Sequence, residues 1–439
     1  MTGALIDPQE ARRLIEARLG RRPQDMLEAA VALEAWAGLP AQGALDAARG
    51  VMRDESPVPE PSTGPLPDRA AEKGALREAL MFLTTVIAIA CWTAPLAASV
   101  GVEVVGRAVM LALPVTLGLQ WGISSRFFAR EHGRAQLARR RPVLALAACA
   151  LVAAGWLALG QAGLIAGLLT VTWVSGTVIV RCGLGSGYAA GILLTTGAML
   201  AGVRPMAVLG TVAGVAVLTA LAVLRPPAVP VRGTGARWTR VGAATAIGAG
   251  TGLLLIIDPT VSWTAGAIPA IGLLPSAAAG FWGSYRLRDL GHEIPRAAWG
   301  VRVGAPPPRG LGSAPLRLLL SALCELLALT AILSAALLLL TPWLGDADEA
   351  AGLLLGFGLL APAMLLAGVL ESLGRARAVL IAITCAASAE AALRWNDVEP
   401  FPGVGLVVGG LIAAAFLVPI AVAVLGRPAS TLATALWIT

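Results

Sequence analysis

The chain has 439 residues, 57% of them hydrophobic and only 13% charged, with a formal net charge of +7 and a mean hydropathy of +0.78. Ordinary globular proteins carry roughly 45–50% apolar and about 25% charged residues, so these proportions argue against a soluble fold and point to a polytopic all-α membrane protein. The positive charge falls in alternate loops between apolar runs, which argues against a nucleic-acid partner.

Residues 1–55 are soluble in character. "PQEARRLIEARLG" (8–20) and "RPQDMLEAAVALEAWAG" (22–38) place apolar residues at helical spacing, including Leu27, Ala30, Val31 and Leu33. A third short helix is predicted from Pro40, a residue suited to a first helical turn. Three helices of this size bury little surface, so this cytoplasmic region is expected to dock on a protein partner. "MTGALIDPQEARRLIEARLG" has no apolar h-region, and no cleaved signal is expected. Residues 56–80 form a linker: "SPVPEPSTGPLPD" (56–68) holds five prolines, and a lead-in helix follows.

About 20 apolar residues cross ~30 Å of hydrocarbon as a helix. Twelve such spans are predicted, near 81–99, 104–123, 142–159, 162–180, 187–202, 206–224, 241–257, 264–282, 316–340, 351–370, 377–393 and 403–425. The loops 124–141, 225–240 and 283–317 carry six, four and six arginines. The intervening loops hold Asp258, then Asp346, Asp348 and Glu349, then Asp397 and Glu399 beside Arg394. Arginine on alternate loops is the positive-inside pattern, which places both termini in the cytoplasm of a multi-pass protein of the cytoplasmic membrane. The tail 426–439 is then cytoplasmic.

A repeat divides the membrane part in two. "PVTLGLQWG" (114–122) and "PSAAAGFWG" (275–283) both read Pro, six mostly small or apolar residues, then Trp-Gly. Each ends the second span of its half, a basic stretch follows each, and His132 and His292, the two histidines of the chain, lie eleven and ten residues past the tryptophans. Two six-helix lobes are expected, 81–224 and 241–425, joined by 225–240. Internal duplication is a signature of secondary transporters, whose substrate site lies between the halves.

Several chemistries are disfavoured. No G-x-x-x-x-G-K-[ST] loop is present, and "GLGSGY" (183–188) lacks the lysine and reads as a tight turn. Both histidines are cytoplasmic in this topology, which disfavours an intramembrane enzyme using His as base. The outer loops are short, with no room to hold an acceptor substrate. No catalytic residue, cofactor or metal is therefore expected. The five cysteines (Cys91, Cys149, Cys182, Cys324 and Cys385) lack CxxC spacing and read as small buried hydrophobes.

A few ionisable residues lie at membrane depth. Arg107, Pro114 and Trp121 follow at steps of seven and share one helix face to within ~20° per step. The second copy has Ile268 where the first has Arg107, so one lobe alone carries the cation. Arg107 either lines a cavity or pairs with Glu103 and snorkels to the outer interface. Glu325 lies nine residues into its span, about 13 Å deep. A carboxylate there costs at least ~2.5 kcal/mol on insertion scales, so it is read as an ion-coupling group or a hydrogen-bonded structural carboxyl. Glu390 and Arg394 read as a structural i,i+4 pair near the outer surface. Trp121 and Trp282 stand at inner span ends, where tryptophan also serves as an interfacial anchor.

"LAGVLESLGRARAVLIAITCAASAEAAL" (366–393), with its Leu373-Gly374-Arg375-Ala376-Arg377 turn, resembles the tenth and eleventh spans of polysaccharide flippases. These belong to the multidrug/oligosaccharidyl-lipid/polysaccharide exporter superfamily. "PGVGLVVGGLIAAAFLVPIAV" (402–422) is similar to the last span of a twelve-span member, and the resemblance covers residues 81–425. It implies a V-shaped pair of lobes whose first, second, seventh and eighth spans line a central cavity. Arg107, Trp92, Trp121 and Trp282 would then be substrate-binding residues, facing the pyrophosphate of a lipid-linked glycan or an exopolysaccharide. The 80-residue cytoplasmic extension and the sparse charge on the cavity spans depart from the family pattern. A drug or metabolite exporter of the major-facilitator kind stays open as an alternative, as does a non-transporting membrane scaffold that recruits a cytoplasmic partner.

Overall fold

The structure, a computed structural model, describes residues 7–19, 23, 26–53, 91–124, 127, 133–224, 238–256, 275, 314–340, 347–398 and 400–425. The linker 56–80, the inter-lobe segment 225–237, nearly all of the predicted span 264–282 and the tail lie outside them. Among the described residues the regular structure is helical, without strands. By its contacts the chain divides into two compact units: Met1–Glu72 with Gly283–Glu325 and Val418–Thr439, and Lys73–Trp282 with Leu326–Leu417.

The first unit contains α1 (Pro8–Leu19), α2 (Met26–Ala37) and α3 (Ala41–Arg53). Asp7 opens α1: its carboxylate accepts from the Gln9 N–H at 3.4 Å and its carbonyl from Ala11 N–H at 2.8 Å. Pro40 precedes α3, and its carbonyl accepts from Ala44 N–H at 2.9 Å. The buried stripe of α2 is Met26, Ala29, Ala30 and Leu33, at the i, i+3, i+4, i+7 spacing of an amphipathic helix. It meets Ala11 and Ile15 from α1 and Ala44, Ala48 and Val51 from α3 in a small shared core. The Arg12 guanidinium donates to the Val51 carbonyl at 3.0 Å, tying α1 to the end of α3.

The second unit begins with the helical residues 91–100 (α4), which Gly101 (φ 96°) separates from α5 (Val102–Ile123). A short helix, α6 (Gly133–Arg139), precedes α7 (Arg141–Arg181). The latter is a hairpin in one continuous stretch. Gly160 has φ 59° and ψ −135°, outside helical geometry and accessible only to glycine. Across it Gly155 faces Gly163 and Gly167 faces Val152, so the arms run antiparallel with their backbones nearly touching. The arms 141–159 and 161–181 are each roughly 28–31 Å long at 1.5 Å per residue. They match the predicted third and fourth spans.

Gly183 (φ 89°) makes the tight turn into α8 (Gly185–Leu200), and Gly202 (φ 83°) the turn into α9 (Pro205–Val223). Then come α10 (Trp238–Leu254), α11 (Ala314–Leu340), α12 (Ala347–Ser372), α13 (Ala376–Trp395) and α14 (Val404–Leu425). In the Leu373-Gly374-Arg375 turn Gly374 has φ 78°, and Arg375 N–H donates to the Leu370 carbonyl at 2.8 Å, closing α12.

Seven helical stretches among the described residues are long and apolar enough to cross a membrane, Arg141–Arg181 counted as one. Their outer surfaces carry large aliphatic side chains: Leu146, Leu157, Leu194 and Leu339 are each more than two-thirds exposed. Contiguous apolar surface of this kind marks a face that meets lipid or another apolar surface.

Small residues let the helices approach closely. α5 crosses α10, which also packs on α13. A side chain at Gly118 or Gly122 would run into Thr245 or Ala249, and one at Gly248 or Gly252 into the backbone of Leu117 or Pro114. The two Gly-x-x-x-Gly stripes thus interdigitate in an antiparallel pair, as membrane helices commonly do. Helix α10, assigned by the repeat to the second half, therefore packs tightly on the second span of the first half. Gly352, Gly356 and Gly410 make an equally close, parallel contact between α12 and α14.

Candidate functional site

Arg107 stands in the second turn of α5, its side chain 74% exposed, with Nη2 3.5 Å from Glu103 Oε2. The i,i+4 pair that sequence spacing offered is therefore formed. An exposed pair of this length is screened by solvent and fixes the guanidinium only loosely. Pro114 and Trp121, on the same face, meet α10 at Gly252 and Gly248. Arg107 lies beyond them, about 21 Å from Trp121 along the helix axis at 1.5 Å per residue.

Among the described residues, Trp92, Arg107 and Trp121 do not come together in one pocket. Trp92 is 1% exposed, and its indole N–H donates to Thr196 Oγ1 at 2.9 Å, which joins α4 to α8. Trp121 is half-buried at the α5–α10 crossing. Trp282 lies outside the described residues. Glu325 is half-buried in α11, and its Oε1 accepts from Ser321 Oγ at 3.0 Å, one turn earlier on the same helix.

Helices α5, α10 and α13, with Ile256 just past the end of α10, border an open cleft of about 470 Å³ lined by Met110, Leu253, Ile256, Ala391, Arg394 and Trp395. Met110 is i+3 from Arg107, so that guanidinium stands one turn outward from the cleft wall. Arg394, which the sequence spacing pairs with Glu390, also lines the cleft. Trp395 beside it is 88% exposed. Sequence reasoning did not find this site because three segments far apart in the chain build it. The one local signal was Arg394-Trp395, a cation and an amphipathic ring at a span end.

Glu390 is the other half of the structural pair that the sequence spacing offers. It is 1% exposed, on the face of α13 that meets α14, with its carboxyl against Gly409. A polar seam also joins α5 to the second arm of α7. Thr116 and Thr170 hydroxyls are 3.2 Å apart and Gln120 Nε2 donates to the Trp173 carbonyl at 3.2 Å, while from α8 Tyr188 OH donates to the Thr172 carbonyl of the same arm at 3.1 Å. Inside an apolar bundle such bonds align helices that hydrophobicity alone would leave free to rotate.

No family model matches the chain, and no curated protein matches it significantly.

Proposed function

We propose that the chain is a multi-pass protein of the cytoplasmic membrane with twelve spans in two six-helix lobes and both termini inside. In this reading it is not an enzyme but a flippase-like transporter, exporting a lipid-linked glycan or exopolysaccharide by alternating access. The observation that carries the reading is an exposed guanidinium, Arg107, near one end of a membrane-length apolar helix. The pair with Glu103 is exposed and thus easily exchanged for a stronger anion. A phosphate accepts bidentate, charge-assisted hydrogen bonds from a guanidinium, and the apolar helix surfaces suit the lipid part of the same substrate. The small core of α1–α3, built from few large side chains, suits docking on a cytoplasmic protein partner, such as the enzyme that makes the substrate.

The test is translocation of a fluorescent polyprenyl-diphosphate sugar in proteoliposomes holding the full-length protein, read by quenching from the outside. Faster translocation than in empty vesicles, with a loss of tenfold or more in Arg107→Ala, supports the reading. No acceleration for this lipid, with uptake of a soluble cationic dye instead, would replace it with the drug-exporter alternative. No movement of either substrate would favour the scaffold.

A further inference from the structure

The hydrogen bonds and close approaches of the second unit sort its helices into two groups. In one, the Trp92 indole donates to Thr196 and joins α4 to α8, and Tyr188 OH donates to the Thr172 carbonyl and joins α8 to α7. Arg141 donates to the Leu221 carbonyl at 3.4 Å and joins α7 to α9. In the other group, glycines lock α5 to α10, and Gly250 of α10 lies against Ile383 of α13. Between the groups runs the seam of α5 with the second arm of α7, where Thr116 meets Thr170 and Gln120 meets the Trp173 carbonyl. We infer that this seam is a shear plane: α5, carrying α10 and α13, slides one helical turn along α7 toward the N-terminal end of α5. Gly101, with φ 96° and open space where a side chain would stand, joins α4 of the first group to α5 of the second and serves as the hinge.

A buried donor carries the inference. Trp173 is 4% exposed, and its indole N–H has no hydrogen-bond partner among the described residues, whereas nearly all buried polar groups are paired. Helical side chains lean back over the preceding turn, so the indole reaches toward the level of Thr170. The two seam contacts rise together along both helices, so α5 and this arm are parallel. A slide of one turn, ~5.4 Å, then carries Gln120 from the Trp173 carbonyl to Thr170 and the indole. Its amide accepts from the indole N–H and donates to the Thr170 hydroxyl, so both halves are used. Thr116, leaving Thr170, faces the small residue Ala166 and turns its hydroxyl to the Ala112 carbonyl one turn back. Thr172, Thr195 and Thr196 already make that bond within their own helices. One set of hydrogen bonds is exchanged for another of similar kind, which allows the interface two registers.

Alternating access needs one body to move against another, so the shear plane deepens the transporter reading and rests on it for its purpose. The movement is read without transport, and the two fail separately. Cysteine pairs are placed in the full-length chain lacking its native five cysteines, reconstituted in lipid vesicles and bridged with copper phenanthroline. Ala112→Cys with Ala166→Cys reports the present register, each standing one turn before Thr116 or Thr170. Thr116→Cys with Ala166→Cys reports the shifted register, and Ala112→Cys with Thr170→Cys the opposite slide. Cysteines a full turn out of register are too far apart to bridge without such movement. The first pair should bridge fast, the second more slowly but to completion, and the third not at all. Trp173→Phe removes the donor that the shifted register satisfies. It should slow the second pair by about fivefold, the worth of one hydrogen bond, and leave the first pair unchanged, with a thermal melt showing the variant folded. No bridge in the second pair, a rate indifferent to Trp173→Phe, or bridging of the third pair in its place overturns the shear plane. Transport without the second bridge would leave the transporter reading standing alone, and the second bridge without transport would leave the shear plane alone.

Discussion

Glu390 and Gly409 face one another across α13 and α14, with the glutamate carboxyl, 1% exposed, occupying the space a side chain at 409 would need. The contact shows where the carboxyl finds room in an apolar helix pair. Gly409 and Gly410 remove two side chains from α14 where α13 and α12 approach, and the acid takes up the first gap. Gly409→Ala should therefore force Glu390 out of place and cost about 1–3 kcal/mol, the usual range for overpacking. A melt in detergent reads this as a lowered Tm. Glu390→Ala in the same chain should recover much of the loss, because residues in direct contact do not add independently. Additive losses in the double variant would mean that the contact is not what Gly409 protects.

The α5–α10 crossing makes a second prediction with its own control. A methyl at Gly252 would meet the backbone of Pro114, which cannot swing aside, whereas Gly214 in α9 has open space where its Cβ would stand. Gly252→Ala should lower Tm clearly. Gly214→Ala should leave it unchanged or raise it, since alanine in a helix interior is better than glycine by roughly 0.5–1 kcal/mol. Similar effects at both positions would show that glycine propensity, not helix approach, sets the stability.

The hairpin in α7 depends on one residue. With φ 59° and ψ −135°, Gly160 occupies a backbone region that any Cβ strains, and nothing else crowds it. Gly160→Ala should destabilise the arms by about 1–3 kcal/mol through backbone strain alone. An unchanged Tm would mean that the reversal is not made at residue 160.

Much of this helix layout was legible from composition and period. The turns at Gly101, Gly183 and Gly374 fall between predicted spans, that at Gly202 falls on the last residue of one, and the boundaries of α9, α11, α13 and α14 lie within a few residues of those expected. An apolar run bounded by glycine or proline is a local signal, and a membrane-length helix is a local structure. Which helices touch is not local. Gly118-x-x-x-Gly122 and Gly248-x-x-x-Gly252 were visible, but in a chain with 51 glycines that spacing distinguishes nothing until the opposing surface is known. The surroundings of Glu390 were hidden for a related reason. Its i,i+4 arginine suggests a structural pair near the outer surface, and only the glycines of α14, opposite it in space, show the carboxyl as buried. The candidate site suffered most: Trp92, Arg107 and Trp121 share spans of the expected kind, yet a fold can point them to α8, to solvent and to α10 without changing the sequence pattern.

Sidedness gives a fourth prediction. Residues 283–315 carry five arginines and 342–350 three acids, so the first segment should be cytoplasmic and the second extracytoplasmic. Single cysteines at positions 300 and 347, in a background lacking the native five, can be probed in intact cells with an impermeant maleimide. Labelling at 347 but not 300 is expected. The reverse pattern would turn the topology over.

The last prediction returns to Arg107. Its pair with Glu103 is exposed and contributes little to stability, so neither Arg107→Ala nor Arg107→Lys should lower Tm measurably. Transport is another matter if the bound substrate carries a phosphate. The Coulomb attraction scales inversely with the effective dielectric constant, so it strengthens as a lipid-linked headgroup displaces water from the guanidinium. A planar guanidinium can also hold two phosphate oxygens at once, which an ammonium does not reproduce. Arg107→Ala should then abolish export in the proteoliposome assay, and Arg107→Lys should retain only part of it. Glu103→Gln, which releases the guanidinium from its present partner, should leave export intact or raise it. If Arg107 merely reaches the interface beside Glu103, all three variants will export like the native chain, and the strongest candidate for a substrate contact is lost.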